Sequence, residues 1–311
     1  YPCETRGVKQ RPGLRRVVLP MLGVLAVGCG TGANRTTSAT AGSVEEAHAI
    51  DAHTSTVTAA SEAGADSGTE PGVSITQPCG SGLRPSVIEH VVWIWMENHQ
   101  RSSVIGSPRA PFVSSLEASC ASVERYEAVG SPSLPNYLAA TSGSTHGVSD
   151  DAPPSEHRIV ADNVFRQVRH SGGTALSYQE AMPSNCLRRN TTRYAVKHNP
   201  AAYYASAEDS EACRRDNLPL PASDPAVLAG SLATFTLVTP DLCNDTHDCS
   251  VATGDAWLKR TVSAIVNGPT YRAGKTVLFL VWDEPTPMPF VMVAPWVRPG
   301  TQVPGTFNHY S

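Results

Sequence analysis

Val87-Ile88-Glu89-His90-Val91-Val92-Trp93-Ile94-Trp95-Met96 is the stretch on which the fold class turns. From Val91 onward every residue is apolar, β-branched or aromatic, with no polar alternation. A strand with one wet face alternates, whereas an unbroken apolar run belongs to a strand covered on both faces, as in a parallel sheet. This run ends in Glu97-Asn98, so a buried strand delivers an acid and an amide at its carboxyl end. Thr276–Trp282 is a second such run, ending in Asp283-Glu284 before Pro285, and Phe290–Ala294 is a third. Ala233–Val238 leads into Pro240-Asp241-Leu242-Cys243-Asn244-Asp245-Thr246-His247-Asp248-Cys249. Shorter strands are expected over Ala121–Ala128 and Thr174–Tyr178. Helices are expected over Pro111–Ala118, Leu134–Ser142, Asn163–His170, Pro225–Ser231 and Asp255–Val266, the last burying Trp257, Val262 and Ile265. Strands alternating with helices predict an α/β fold, with a central, mostly parallel sheet and helices on both faces. Such sheets bind ligands beyond the carboxyl ends of their strands, so polar clusters far apart in sequence can meet there.

The chain has 311 residues, 17% charged and 41% hydrophobic, which suits one large folded body with an appendage. A net charge of −4 with dispersed basic residues argues against nucleic acid as a partner. Arg11, Arg15 and Arg16 precede the apolar run Val17–Val27, and residues 1–29 read as an export signal. Ala26-Val27-Gly28-Cys29 is similar to a bacterial lipobox, so membrane contact is expected only through a lipid anchor at Cys29. The alternative is an ordinary secretory peptide cut nearby. Residues 30–78 are rich in Ala, Ser, Thr and Gly and read as a disordered linker; residues 79–311 form the catalytic body. An exported or cell-envelope protein with an even number of cysteines is expected to pair them, here as Cys79–Cys120, Cys186–Cys213 and Cys243–Cys249. The absence of a CxxC pair argues against a zinc cluster.

Glu97, Asn98, Asp283 and Glu284 together offer three carboxylates and an amide, the oxygen-rich surroundings that hard divalent cations prefer. Gly130-Ser131-Pro132-Ser133-Leu134-Pro135-Asn136-Tyr137 holds the candidate nucleophile, Ser133, at a helix N-terminus suited to phosphate, with Ser131 as its rival. A metal that lowers the hydroxyl pKa makes a serine alkoxide accessible. Asn136, one turn on, is expected to donate to a phosphoryl oxygen, and Lys197 and His198 to contact phosphate. The Asn244–Asp248 loop offers Asp245 for a second cation and His247 as a general acid. These clusters point to metal-dependent phosphoryl transfer with one or two divalent cations.

Several motifs, in order, resemble the bacterial phosphoesterase family, which contains secreted acid phosphatases and phospholipases C and belongs to the alkaline phosphatase superfamily. They are His90–Asn98, Ser131-Pro132-Ser133-Leu134-Pro135-Asn136-Tyr137-Leu138-Ala139, Ser177-Tyr178-Gln179-Glu180, Lys197-His198-Asn199-Pro200, the Asn-Asp-Thr-His-Asp loop with Gly254-Asp255-Ala256-Trp257-Leu258, and Trp282-Asp283-Glu284. The resemblance spans residues 86–311 and is greatest to the secreted acid phosphatases, some of which act on phosphoinositides. It implies an alkaline phosphatase-like fold, a phosphorylated Ser133, and metal binding by Glu97, Asn98, Asp283 and Glu284. It also implies roles for His247 and His309 around the metal or the leaving group. The expected partner is a small phosphorylated substrate or a phospholipid head group. The chain departs from the pattern in its short Pro285–Pro289 loop. It also stops at Ser311, where relatives continue with further helix, so the domain is expected to be C-terminally incomplete. The expected activity is hydrolysis of phosphate monoesters. The alternatives are a phospholipase C-type phosphodiesterase and a non-catalytic surface binding protein on a decayed phosphatase scaffold.

Overall fold

The strands β1 (His90–Met96), β2 (Ala121–Glu127), β3 (Ala175–Glu180), β4 (Asn217–Leu220), β5 (Phe235–Thr239), β6 (Thr276–Trp282), β7 (Phe290–Val293) and β8 (Thr301–Asn308) form one sheet in the order β4-β3-β5-β1-β6-β7-β2-β8. They belong to a computed structural model that describes residues 77–221, 225–230 and 232–311; the expected export signal with Cys29, and nearly all of the expected linker, lie outside the described residues. Every neighbouring pair is parallel except those of β7, which runs against both β6 and β2. Seven carboxyl ends therefore share one edge. Met96 is in register with Trp282, and the Asp283 N–H donates to the Met96 carbonyl at 3.1 Å. Glu97 and Asp283 thus leave adjacent central strands side by side.

On β1, Val92, Ile94, Trp95 and Met96 are wholly buried, and Leu278, Leu280 and Val281 match them on β6. The opposite face is less covered than the unbroken apolar run suggests. Val91, Trp93 and Phe279 are half-buried and line an apolar groove with Phe290 and Phe307.

The helices are α1 (Arg101–Val104), α2 (Pro111–Ser119), α3 (Ser133–Ser142), α4 (Val164–His170), α5 (Ala207–Asp216), α6 (Val251–Asn267) and α7 (Pro269–Arg272). Asn163 caps α4 by accepting from the Arg166 N–H at 3.0 Å. Ser250 caps α6, which is why that helix starts before the expected Asp255, and Trp257, Val262 and Ile265 are buried along it. α2 opens on Pro111 without a cap of its own. Asp255, from α6, accepts from the Phe112 and Val113 N–H groups at 3.1 and 2.9 Å. Asp255→Ala leaves those two amides without a partner and should cost about 1–2 kcal/mol. In urea the midpoint should fall at constant m; an unmoved midpoint would show that water replaces this cap fully.

Besides the single-turn helices α1 and α7, three elements escape the sequence reading. α5 is almost entirely polar and is held from outside itself, by the Ser206 cap, by an Arg166–Asp209 ion pair and by the Cys186–Cys213 bridge. β4 is short and contains Pro219. β8 contains Pro304 and Gly305, is largely exposed and lies at the sheet edge, where proline is tolerated. The segment expected as a helix from Pro225 is a short 3-10 turn, Pro225–Leu228. All three expected disulfides are present. No helix among the described residues is long and apolar enough to cross a membrane.

Candidate active site

The candidate residues gather at the shared carboxyl edge. Ser133 is the first residue of α3, with Pro132 as the N-cap, and its Oγ donates to Glu97 Oε2 at 3.1 Å. One turn on, Tyr137 presents its hydroxyl from the same helical face and donates to the other oxygen, Glu97 Oε1. Asp283 lies beside Glu97 and Ser133, close enough for its charge to press on Glu97, and its Oδ1 accepts from the Asn98 N–H at 3.1 Å. Asn98 turns with φ +53°, a conformation asparagine tolerates, and its amide donates to Glu97 Oε2 at 3.4 Å. Glu284 is half-buried beside them, close enough for its charge to press on Asp283. Ser131 is exposed, so the geometry singles out Ser133 as the hydroxyl beside the carboxylates.

Glu97, Asp245 and Asp283 are each 0% exposed. Burial, then the charges of Asp283 and Asp245, hold the Glu97 carboxyl well above its usual range. Burial pushes Asp283 up to about 7 and Asp245 up to about 8. A buried ionised carboxylate costs roughly several kcal/mol unless something compensates it. Asp283 Oδ2 is buried with no hydrogen-bond partner. Among the described residues, no three His, Cys, Asp or Glu side chains stand together as a finished ligand cluster. The adjoining donors are instead two carboxylates with a hydroxyl and an amide: Glu97, Asp283, Ser133 and Asn98. A hard cation fits this all-oxygen set, and it would relieve both the orphaned Asp283 oxygen and the repulsion between the acids.

Other candidates take places that the sequence reading did not anticipate. His198 is 2% exposed and lies between two acids, with Nε2 3.3 Å from Glu97 Oε1 and Nδ1 3.3 Å from Asp245 Oδ2. Burial, then the charges of Lys197 and His247, holds its pKa well below the usual value. It lies behind the carboxylates, and Asp245 stands one imidazole away from the Glu97–Asp283–Ser133 group. Asn136 is wholly buried. Its amide donates to the Gly130 carbonyl at 3.0 Å, and its Oδ1 accepts from Val129 and Gly130 N–H at 3.0 and 3.1 Å. It shapes the turn before Ser133, where its expected contact with a phosphoryl oxygen would compete with these bonds.

Lys197 Nζ donates to Asp151 Oδ2 at 2.9 Å and to His247 Nε2 at 3.4 Å, and His247 Nδ1 donates to Asp248 Oδ1 at 2.7 Å. Burial alone would lower the Lys197 pKa, but Asp151 outweighs it and keeps the ammonium above its usual value. Asp151 Oδ1 in turn accepts from the Leu134 N–H at 3.0 Å, tying this basic group to the start of α3. His309 is 3% exposed and stacks on Trp95. Its Nε2 donates to the Asp283 carbonyl at 2.7 Å, its Nδ1 lies 3.3 Å from the Tyr126 hydroxyl, and burial lowers its pKa to about 4. With both nitrogens engaged, it fixes the Asp283 turn.

Sequence reasoning missed Asp151 and quoted Tyr137 and Glu180 only within motifs, without a role for either. Only Tyr137 carries a local signal, its i+4 spacing from Ser133. Glu180 ends β3 and is 1% exposed. It accepts from the Asp241 N–H at 3.0 Å, Asn244 Nδ2 at 2.9 Å and Trp257 Nε1 at 3.1 Å, anchoring the loop that carries Asp245 and His247.

Comparison with known proteins identifies the family. A model of the phosphoesterase family matches residues 95–287. The chain is 32% identical over 228 residues to a phosphatidylinositol-3-phosphatase of Mycobacterium tuberculosis, covering 71% of this chain and 73% of that protein. It is 25% identical over 235 residues to an acid phosphatase of Aspergillus fumigatus, covering 69% of this chain and 51% of that one, so it spans about half of the fungal relative. Among solved structures, the lipoteichoic acid synthase LtaP of Listeria monocytogenes is similar with a TM-score of 0.50 at 10% identity, covering 73% of this chain and 70% of that one. A member of the alkaline phosphatase superfamily from Vibrio parahaemolyticus gives 0.49 at 11% identity, covering 74% and 64%. The likeness to LtaP concerns the fold alone. The family match extends over more than half of the residues and includes the ends of both central strands; the chain belongs to the phosphoesterase family.

Proposed function

We propose that this is an exported, metal-dependent phosphatase that hydrolyses phosphate monoesters, phosphoinositides among them, through a phosphoserine at Ser133. The observation that carries the reading is the Ser133 hydroxyl donating to Glu97 inside a group of buried acids beside Asp283. A phosphatidylinositol-3-phosphatase and an acid phosphatase among the relatives support the monoester class. Three disulfides support an oxidising compartment.

Glu97, Asn98 and Asp283, with Glu284 at the rim, would hold a divalent cation, which would supply positive charge that favours the serine alkoxide and offsets the charge on the phosphoryl oxygens. Ser133 Oγ attacks phosphorus, and its proton has a path to Glu97 Oε2 at 3.1 Å. Tyr137 keeps the Glu97 carboxylate in place. Lys197, held by Asp151, presents an ammonium toward the non-bridging oxygens. His247, half-buried with Nδ1 on Asp248, would act through Nε2 as the imidazolium, its proton turning from the Lys197 side to the leaving group. It protonates the departing oxygen, then takes a proton from the water that attacks phosphorus, while Glu97 returns its proton to the Ser133 oxygen as phosphate leaves. Two inversions at phosphorus give net retention.

The reading is tested by turnover of an aryl phosphomonoester beside a choline phosphodiester, each before and after thorough EDTA treatment. Monoester hydrolysis that chelation abolishes and added divalent cation restores is expected. Preference for the diester would favour the phospholipase C alternative, and no turnover of either would favour a binding protein.

A further inference from the structure

Glu97 is gripped by its backbone as well as by its carboxylate. Its N–H donates to the Asp245 carbonyl at 2.8 Å, and its own carbonyl accepts from Thr246 Oγ1 at 2.8 Å. Thr246 has φ +81°, a left-handed conformation that β-branched residues seldom adopt. Such strain persists only where the surroundings over-determine it, and it gathers at functional sites. Here the surroundings are specific. Cys243 and Cys249 close a small ring around the loop, and the Asp248 N–H donates to the Leu242 carbonyl across its neck at 2.7 Å. Gly254 of α6 faces the threonine methyl: a Cβ there would stand 2.2 Å from Thr246 Cγ2 and 3.1 Å from the Asn244 carbonyl. A side chain at 254 would expel Thr246 from its place. Glu180 anchors the base of the same loop.

We infer that Thr246 is a positioning residue, whose hydroxyl sets the main chain of Glu97 so that the carboxylate meets Ser133. The strained loop, its disulfide and the missing side chain at Gly254 form one device that fixes a catalytic carboxylate from the backbone side. This inference rests on the phosphatase reading. A structural role alone would make the hydroxyl matter for stability and leave catalysis untouched.

Three variants separate these outcomes. Thr246→Val keeps the branched shape and loses the hydroxyl. Thr246→Gly loses the hydroxyl and relaxes the strained φ, so it folds even if the valine variant does not. Thr246→Ser keeps the hydroxyl. With an aryl phosphate, the valine and glycine variants should lose about 10- to 100-fold in kcat with KM nearly unchanged, and serine should stay within about threefold of the parent. Independently of turnover, amide hydrogen exchange at Glu97-Asn98 should quicken in the valine and glycine variants and not in serine. Parent-like kcat in both hydroxyl-free variants, with only Tm altered, would overturn the inference. An inactive parent would sink the phosphatase reading instead, and the exchange result would then decide the role of Thr246.

Discussion

Ser133→Ala is expected to lower phosphate release on the order of 10³-fold or more while leaving the melting temperature within a few degrees of the parent. The change removes one oxygen. That oxygen makes a single bond, to Glu97, and Ser133 does not serve as the cap of α3, because Pro132 is the N-cap and the Leu134 N–H is satisfied by Asp151. Glu97 keeps its Tyr137 donor and its His198 neighbour, so the acid cluster survives. Activity is lost without loss of fold. Parent-like turnover in this variant would remove Ser133 from its role and leave exposed Ser131 as the remaining hydroxyl of the turn.

Asp283→Asn should separate stability from activity in the opposite direction. Asp283 is wholly buried beside Glu97, with one oxygen unpartnered and its pKa pushed up to about 7, first by burial. The amide keeps the acceptor for the Asn98 N–H, removes one buried negative charge and offers Glu97 a donor. In metal-free protein the variant should gain about 1–3 kcal/mol of stability. Its turnover should fall on the order of 10³-fold, because a cation ligand is gone. Added divalent cation should raise the Tm of the parent through linkage and leave that of the variant flat. A parent Tm indifferent both to cations and to EDTA would contradict the cation site.

The central strands were legible because β1 and β6 are buried continuous apolar runs, and a strand's last apolar residue shows where its polar cargo begins. Glu97, Asp283 and Ser133 were legible for the same reason: each stands at the border of a periodic element. The roles of side chains inside the site were less so. Lys197-His198-Asn199-Pro200 reads as a pair of phosphate contacts, yet His198 is buried between Glu97 and Asp245. Asn136 reads as a free amide on a helix, yet its hydrogen bonds are spent on the turn before Ser133. Asp151 and Thr246 come from aperiodic loops, where spacing carries no information about what a side chain will meet. β8 could not be read because an exposed edge strand with Pro304 and Gly305 lacks both alternation and an apolar run. It nevertheless delivers His309 to the back of the Asp283 turn.

The most direct measurement is acid quenching of the enzyme during turnover of a labelled monoester, followed by mapping of the protein-bound phosphate. The phosphate should lie on Ser133, appear in a rapid burst before steady turnover, and be missing from Ser133→Ala. Phosphate on Ser131 or another residue, or sustained hydrolysis with no phosphate bound to the protein at any time, would contradict the account.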